Sequence, residues 1–168
     1  SSNLARFDGM RYGVRAEDGE DAGSVQRTTR GRGFGEEVRR RIMLGTYVLS
    51  AGYYEAYYLR AQRLRAAIAR DFRRLFRDGV DAVLAPTTPT PAFRLGEKTG
   101  DPYEMYLNDV YTVSANLAGL PAVSLPVANP GGLPVGAQLM GPPWSEERTA
   151  GLALRLEDSL GYRHPLDP

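Results

Sequence analysis

Apolar residues recur along this chain with helical spacing over three long stretches and form short continuous runs between them. From Tyr53 to Phe76 the residues Tyr54, Tyr57, Ala61, Leu64, Ile68, Phe72 and Leu75 return at three- and four-residue steps. They predict a long amphipathic helix whose opposite face is rich in arginine. Before it, the stretch GFGEEVRRRIMLGTYVLSAGYYEAYY, Gly33 to Tyr58, predicts a helix from about Glu36 to Ser50, with Glu36 and Glu37 near its positive end and Gly52 as its breaker. DAVLA, Asp81 to Ala85, follows Gly79 and stops at Pro86, which predicts a buried strand; the loop PTTPTP, Pro86 to Pro91, leaves its carboxyl end. Asp101, Pro102 and Glu104 open another helix as N-cap, first position and capping-box partner, running to about Leu117 and stopping at Gly119. AVSLPVA and VGAQLMG, joined by NPGGLP, predict paired strands. Ser145, Glu146 and Glu147 then start a helix with Leu152, Leu156 and Leu160 on one stripe and Gly161 at its end. Residues 1 to 32 are polar and Gly-rich without a sustained period, and predict a short extended segment, a turn and an irregular loop. The order helix, helix, strand, helix, hairpin, helix is that of a mixed α/β fold without internal repeats.

Two charged residues stand out against this pattern. At about 100° per residue, Val38, Ile42, Leu44, Gly45, Val48 and Leu49 share one arc, and Arg41 falls inside it while Arg39 and Arg40 point away. Arg41 is therefore expected to be at least partly buried. A guanidinium keeps its charge and its five donors, so burial requires an anion in front of it. Glu37, four residues earlier, is one such partner and a carboxylate ligand held by two parallel hydrogen bonds is another; the pattern leaves both open. On the helix from Asp101, the residues Tyr106, Val110, Val113 and Leu117 predict a core stripe, with Asp109, Thr112 and Asn116 as a polar stripe beside it. Asp109 is thus placed at the edge of burial, either as a solvated or capping carboxylate or as a ligand group. Together, one arginine and one aspartate at the margins of apolar faces suit the two charged ends of a free amino acid. The PTTPTP loop, at the carboxyl end of a strand, reads as a stiff connector or as one wall of a pocket.

Composition narrows the chemistry further. A chain of 168 residues with 42% apolar positions can build a real core, and 21 Lys and Arg against 20 Asp and Glu predict neither a nucleic-acid sponge nor an acidic tail. Seven arginines lie between Arg60 and Arg77, but Glu55, Asp71 and Asp78 are interspersed, which favours a solvated face over a phosphate-binding one. The absence of cysteine excludes disulfides, thiolate metal sites and Cys nucleophiles, and fits a reducing compartment. Lys98 is the single lysine and His164 the single histidine, so general bases are scarce. No GxSxG, HExxH or paired-carboxylate motif appears, and Gly33 and Gly35 complete no phosphate loop and read as a helix entry turn. No apolar run of about 18 residues is present to span a membrane. Beginning at Ser1, the chain reads as a piece of a longer protein.

The segments SSNLARFDGMRYG, GFGEEVRRRIMLGTYVLSAGYYEAYY, DPYEMYLNDVYT, NLAGLPAVSLP and GLPVGAQLMG resemble the amidase signature family. RRIMLG with MYLND resembles in particular its tRNA-dependent amidotransferase A subunits. The resemblance runs from Ser1 to about Gly161 and implies the C-terminal portion of a single α/β/α domain, a mixed sheet covered by helices. It implies a glutaminase: a Ser nucleophile, helped by a Ser in a cis peptide and a Lys, attacks the glutamine side-chain amide. The ammonia then passes to a partner that amidates Glu-tRNA(Gln) or Asp-tRNA(Asn). Those three catalytic residues belong to a Gly/Ser-rich segment with no counterpart here, and Lys98, in an LGEK loop, does not match the family lysine. No catalytic residue is therefore expected in these 168 residues. What carries over is Arg41, matching the arginine that holds the substrate α-carboxylate, and Asp109, matching the aspartate that holds its α-amino group. The resemblance also implies B and C partner subunits, with ATP and Mg used by the B subunit, no cofactor on this chain, and a cytoplasmic location. An amidase acting on another amide and a non-catalytic RNA-binding module are the rival expectations. A sheet separated from its other strands is expected to associate or dissolve poorly.

Overall fold

Helix ends, strand edges and one buried carboxylate account for most of the local architecture. A computed structural model of the chain describes residues 3–16, 19–98 and 100–162; His164 lies outside them. The chain divides into two compact units, Ser1–Gln62 and Arg63–Pro168.

In the first unit a 3-10 turn, Leu4–Arg6, precedes helices α1, Ala22–Gly33, and α2, Glu36–Val48, and a π-helical turn, Tyr54–Leu59. Helix α1 falls where the sequence pattern predicts a loop. Its one buried residue is Val25 and its composition, AGSVQRTTRGRG, hides any stripe. What starts it is a capping box: the Asp21 carboxylate accepts from the Ser24 N–H at 2.6 Å, and the Asp21 N–H donates to Ser24 Oγ at 3.1 Å. The preceding segment is a tight turn around Asp8, which is 1% exposed. Its carboxylate accepts from the backbone N–H groups of Met10 at 3.0 Å and Arg11 at 2.9 Å, and from the Arg11 guanidinium at 3.1 and 2.9 Å. The turn needs Gly9, at φ +75°, where a Cβ would sit 2.6 Å from Thr29 Oγ1 on α1. Gly33 closes α1 and Gly35 is the N-cap of α2, so the two glycines bracket the junction between helices.

Helix α3, Arg60–Arg77, begins in the last residues of the first unit and runs on into the second; it continues the π-helical turn, so the predicted helix from Tyr53 begins with a wider turn. Its seven arginines are exposed, and one of them, Arg65, donates to the Leu117 carbonyl at 2.9 Å. Ala69 is buried on its apolar side, but Leu64 and Leu75 remain 59% and 44% exposed. Strands β1, Val83–Pro86, β2, Ala122–Ala128, and β3, Val135–Met140, form one antiparallel sheet in the order β1-β3-β2. The hairpin and its turn at Pro130–Gly132 match the sequence expectation. Strand β1 does not match the buried strand expected of DAVLA: it is an edge strand, and Leu84 is 57% exposed. Pro126 sits beside an irregularity in β2, the other edge, where a missing N–H is tolerated. Helix α6, Glu146–Leu160, covers one face, packing Leu152, Leu156 and Ala153 on Val123, Leu125 and Leu139, and Gly161 ends it at φ +56°. The result is a partial α/β fold of helices on a small sheet.

The predicted helix from Asp101 to Leu117 is broken. Helix α4, Pro102–Tyr106, passes into a 3-10 turn, Leu107–Asp109, and α5 starts afresh at Val113–Ala118. The Asp101 carboxylate caps the first piece through the Tyr103 N–H at 2.8 Å, and Gly119, at φ +70°, stops the last. Polar side chains compete with the helix ladder in between. Thr112 Oγ1 donates to the Asp109 carbonyl at 3.2 Å, while Ser114 Oγ and Gln138 Nε2 donate to the Tyr111 carbonyl at 3.2 and 2.9 Å. Without one straight helix the expected core stripe fails: Tyr106, Val110 and Val113 are exposed, and Ala115 is the buried residue.

Hydrogen bonds from the Arg11 and Met10 backbone and then the Arg11 side chain hold the Asp8 carboxyl well below its ordinary value of 3.8. A depressed folded-state value contributes stability above the unfolded-state value and loses it as pH falls through the folded one. Asp8→Asn is expected to lower the unfolding midpoint at pH 7, and the gap to wild type is expected to narrow as pH drops below about 4. Thermal melts across pH check this; a constant gap would refute it.

Candidate functional site

Strand residues alternate faces, so Ser124 and Gln138, adjacent to the core residues Leu125 and Leu139, point away from α6. On that side, at the carboxyl end of β1, lies a cleft of about 260 Å³ lined by Thr87, Thr112, Ala115, Asn116, Ser124 and Gln138, among others. The Thr87 N–H donates to the Gly136 carbonyl at 2.9 Å, carrying the β1 pairing one residue into the PTTPTP loop. Thr87 Oγ1 and Ser124 Oγ then meet at 2.7 Å across Gly136, whose missing side chain makes room for them. Thr87 thus forms a cleft wall, whereas Thr88 turns back on its own loop, donating to the Thr90 carbonyl at 2.9 Å. Gln138, 3% exposed, spends its Nε2 hydrogens on two carbonyls, Pro86 at 3.0 Å and Tyr111 at 2.9 Å. Asn116 Nδ2 donates to the Thr112 carbonyl at 2.9 Å.

The polar stripe expected from Asp109, Thr112 and Asn116 therefore splits. Thr112 and Asn116 line the cleft, and Asp109 stands exposed at the end of the 3-10 turn, outside the lining. Its neighbour Asn108 is tied down: Lys98 Nζ donates to Asn108 Oδ1 at 2.9 Å while lying 4.5 Å over the Phe93 ring. The one lysine is thus engaged in holding the segment that carries Asp109.

Arg41 departs from its expected burial. Its side chain is 61% exposed, and its Nε donates to Glu37 Oε1 at 2.8 Å, the internal partner the four-residue spacing allows. The arc that contains it is itself open: Leu44 is 60% and Leu49 46% exposed, and α2 has no buried residue. Glu36 and Glu37 also hold Arg40, each at 3.2 Å. Arg41 belongs to the first unit and Asp109 to the second. Among the described residues no group of three His, Cys, Asp or Glu is arranged to hold a metal, and no helix is long and apolar enough to cross a membrane.

The sequence profile of the amidase family matches residues 1–150. The chain belongs to the amidase family. Over 99% of its length this amidase-family chain is 57% identical to the glutamyl-tRNA(Gln) amidotransferase A subunit of Xanthobacter autotrophicus, and over 98% it is 56% identical to that of Nitrobacter winogradskyi. It spans about a third of the length of these curated relatives, 34% in both cases. The crystal structure of the glutamyl-tRNA(Gln) amidotransferase A subunit from Thermotoga maritima superposes with a TM-score of 0.64 at 43% identity, covering 85% of this chain and 31% of that one.

The sequence pattern flags none of the three buried polar residues described in this amidase-family chain, Asp8, Gln138 and Thr149, of which Asp8 and Gln138 bear on the first turn and the cleft. Each had a signal: Asp8 precedes a glycine in a turn-like FDGM, and Gln138 interrupts the apolar run VGAQLM. A buried polar residue in a strand requires partners, and those of Gln138 are the carbonyl of Pro86, at the end of β1, and that of Tyr111, in the break between α4 and α5.

A Cβ on Gly136 would lie 3.0 Å from both Ser124 Oγ and Thr87 Oγ1. Gly136→Ala is expected to destabilise by about 1–3 kcal/mol through overpacking. In a Ser124→Ala background that cost is expected to shrink, because one of the crowding atoms is gone. A double-mutant cycle by denaturant unfolding measures the coupling; strict additivity would exclude the contact as its cause.

Proposed function

We propose that this chain is the glutamine-recognising, C-terminal portion of the A subunit of a tRNA-dependent amidotransferase. The observation that carries this reading is identity above 55%, over nearly the full chain, to the Xanthobacter and Nitrobacter proteins named as glutamyl-tRNA(Gln) amidotransferase A subunits. In it, Arg41 grips the α-carboxylate of glutamine and Asp109 its α-ammonium group. The Glu37 pairing at Nε orients the guanidinium, and the Lys98–Asn108 bond steadies the turn that carries Asp109. Held at both charged ends, glutamine extends its side-chain amide toward a Ser nucleophile supplied with its cis-peptide Ser and Lys by the family's Gly/Ser-rich segment. Positioning of this kind removes several kcal/mol from a barrier in well-oriented reactions. The acyl-enzyme is hydrolysed to glutamate, and the ammonia serves a B subunit that, with ATP and Mg, amidates the mischarged tRNA, a C subunit completing the assembly. The 168 residues alone are expected to be inactive.

A charge-assisted hydrogen bond to a ligand contributes about 1.5–3 kcal/mol, so each charged end is worth roughly ten- to hundredfold in affinity. In the complete A subunit, assembled with its partners, Arg41→Ala and Asp109→Ala are each expected to raise KM for glutamine by about that factor. A glutaminase assay over a range of glutamine concentrations, with simple amides as comparison substrates, reads the effect. Wild-type kinetics at low glutamine in either variant would remove that residue from the role, and equal turnover of simple amides would favour an amidase without a tRNA partner.

A further inference from the structure

We propose that Gln138 is a positioning residue for glutamine recognition, its side-chain amide fixing the kinked turn that presents Asp109. The inference rests on the reading of Asp109 given above. The observation behind it is one buried amide nitrogen with two backbone carbonyl partners, Tyr111 at 2.9 Å and Pro86 at 3.0 Å. In an uninterrupted α-helix the Tyr111 carbonyl would accept from the Ala115 N–H one turn later. Here it accepts from Gln138 and from Ser114 Oγ, the ladder is interrupted, and Asp109 ends a 3-10 turn instead of sitting in mid-helix. The kink is closed from the other side by Thr112, whose N–H and Oγ1 both donate to the Asp109 carbonyl, at 3.0 and 3.2 Å. The direction of the Asp109 side chain is therefore set by a backbone that Gln138 holds open.

The residue type is tightly specified. A primary amide offers two N–H donors from one neutral planar nitrogen, and at 3% exposure both are needed because water cannot substitute. Glutamate would set a charge against two carbonyl oxygens, methionine keeps the length but has no donor, and asparagine is one methylene short. The second partner, Pro86, is the last residue of β1, so the same amide anchors the start of the loop that bears Thr87. One side chain on the central strand thus ties the Asp109 turn and the cleft wall to the sheet.

The test compares glutamine with its analogue lacking only the α-amino group, in the complete amidotransferase. Wild type is expected to prefer glutamine, and Asp109→Ala to lose most of that preference. Gln138→Met is expected to raise KM for glutamine roughly tenfold with little change in kcat, about the worth of one misplaced hydrogen bond, while kcat/KM for the analogue stays within about twofold of wild type. A Gln138→Met enzyme that keeps the wild-type preference, or loses activity equally on both substrates, would overturn the proposal and leave a purely structural role. If Gln138→Met does not fold, Gln138→His, which retains one N–H donor, carries the same readout: a reduced preference supports the proposal and an unchanged one overturns it. Should Asp109→Ala retain the preference, the Asp109 reading itself fails and the proposal with it.

Discussion

The Gln138 amide is the interaction on which this end of the second unit depends, because it bonds backbone groups on two segments distant from each other in sequence. A buried amide left without acceptors costs about 1–3 kcal/mol, and the 3% exposed Gln138 avoids that cost by donating to the Pro86 and Tyr111 carbonyls together. The hairpin brings it into place: β3 is the central strand, and its register pairs Gln138 with Ser124 on one side and Ala85 on the other. Both the end of β1 and the break between α4 and α5 are thereby referred to the same rigid element. The cleft at this end of the sheet follows from the small residues around the amide, with Gly136 leaving space for the Thr87 and Ser124 hydroxyls.

The first unit is organised around a carboxylate instead. Asp8 gathers four donors within its own turn, and the turn sits on α1 through the contact of Gly9 with Thr29 and the bond from Arg30 to the Ala5 carbonyl at 2.7 Å. Such a unit can be orderly with little buried apolar area, since Val25 is its one buried hydrophobic residue among those described. The same economy leaves Met43, Leu44, Tyr57 and others open to water. In the second unit Leu64, Leu84 and Trp144 are likewise open, Trp144 at 93%. Apolar surface on this scale fits a chain that spans a third of its relatives' length, in which helices and strand edges meet no counterpart within these residues.

Where one physical rule dominates, structure follows sequence: the strands around NPGGLP, helix α6 with its leucine stripe and Gly161, and the stop at Gly119 follow from period and turn chemistry. Errors arose where two rules competed. Helix α1 has almost no apolar period, and what starts it, the Asp21 to Ser24 capping box, is a local polar signal that periodicity does not register. The segment from Asp101 carries helical periodicity, yet one of the bonds at its break comes from Gln138, more than twenty residues away, which no local window contains. Arg41 shows a third kind of failure. The arc was placed correctly on the helix, but an arc becomes a core only when something covers it, and here Glu37 supplies the anion while the side chain stays in water.

That exposure bears on how Arg41 and Asp109 would act in the proposed role. An ion pair between solvent-exposed groups is worth about 0–1 kcal/mol, too little to select a zwitterion at low concentration. At 61% exposure Arg41 is in that regime, and Asp109 is exposed as well. For each to contribute the strength of a charge-assisted bond, water must be displaced from around the ligand, which raises every Coulomb term by lowering the local dielectric. In the proposed role these residues would provide the backbone and the charge signs, and the exclusion of water would have to come from whatever covers them. On the proposed reading, glutamine affinity would be a property of the covered site and not of either exposed charge alone, because the desolvation cost of each charge has to be offset by a paired ligand group.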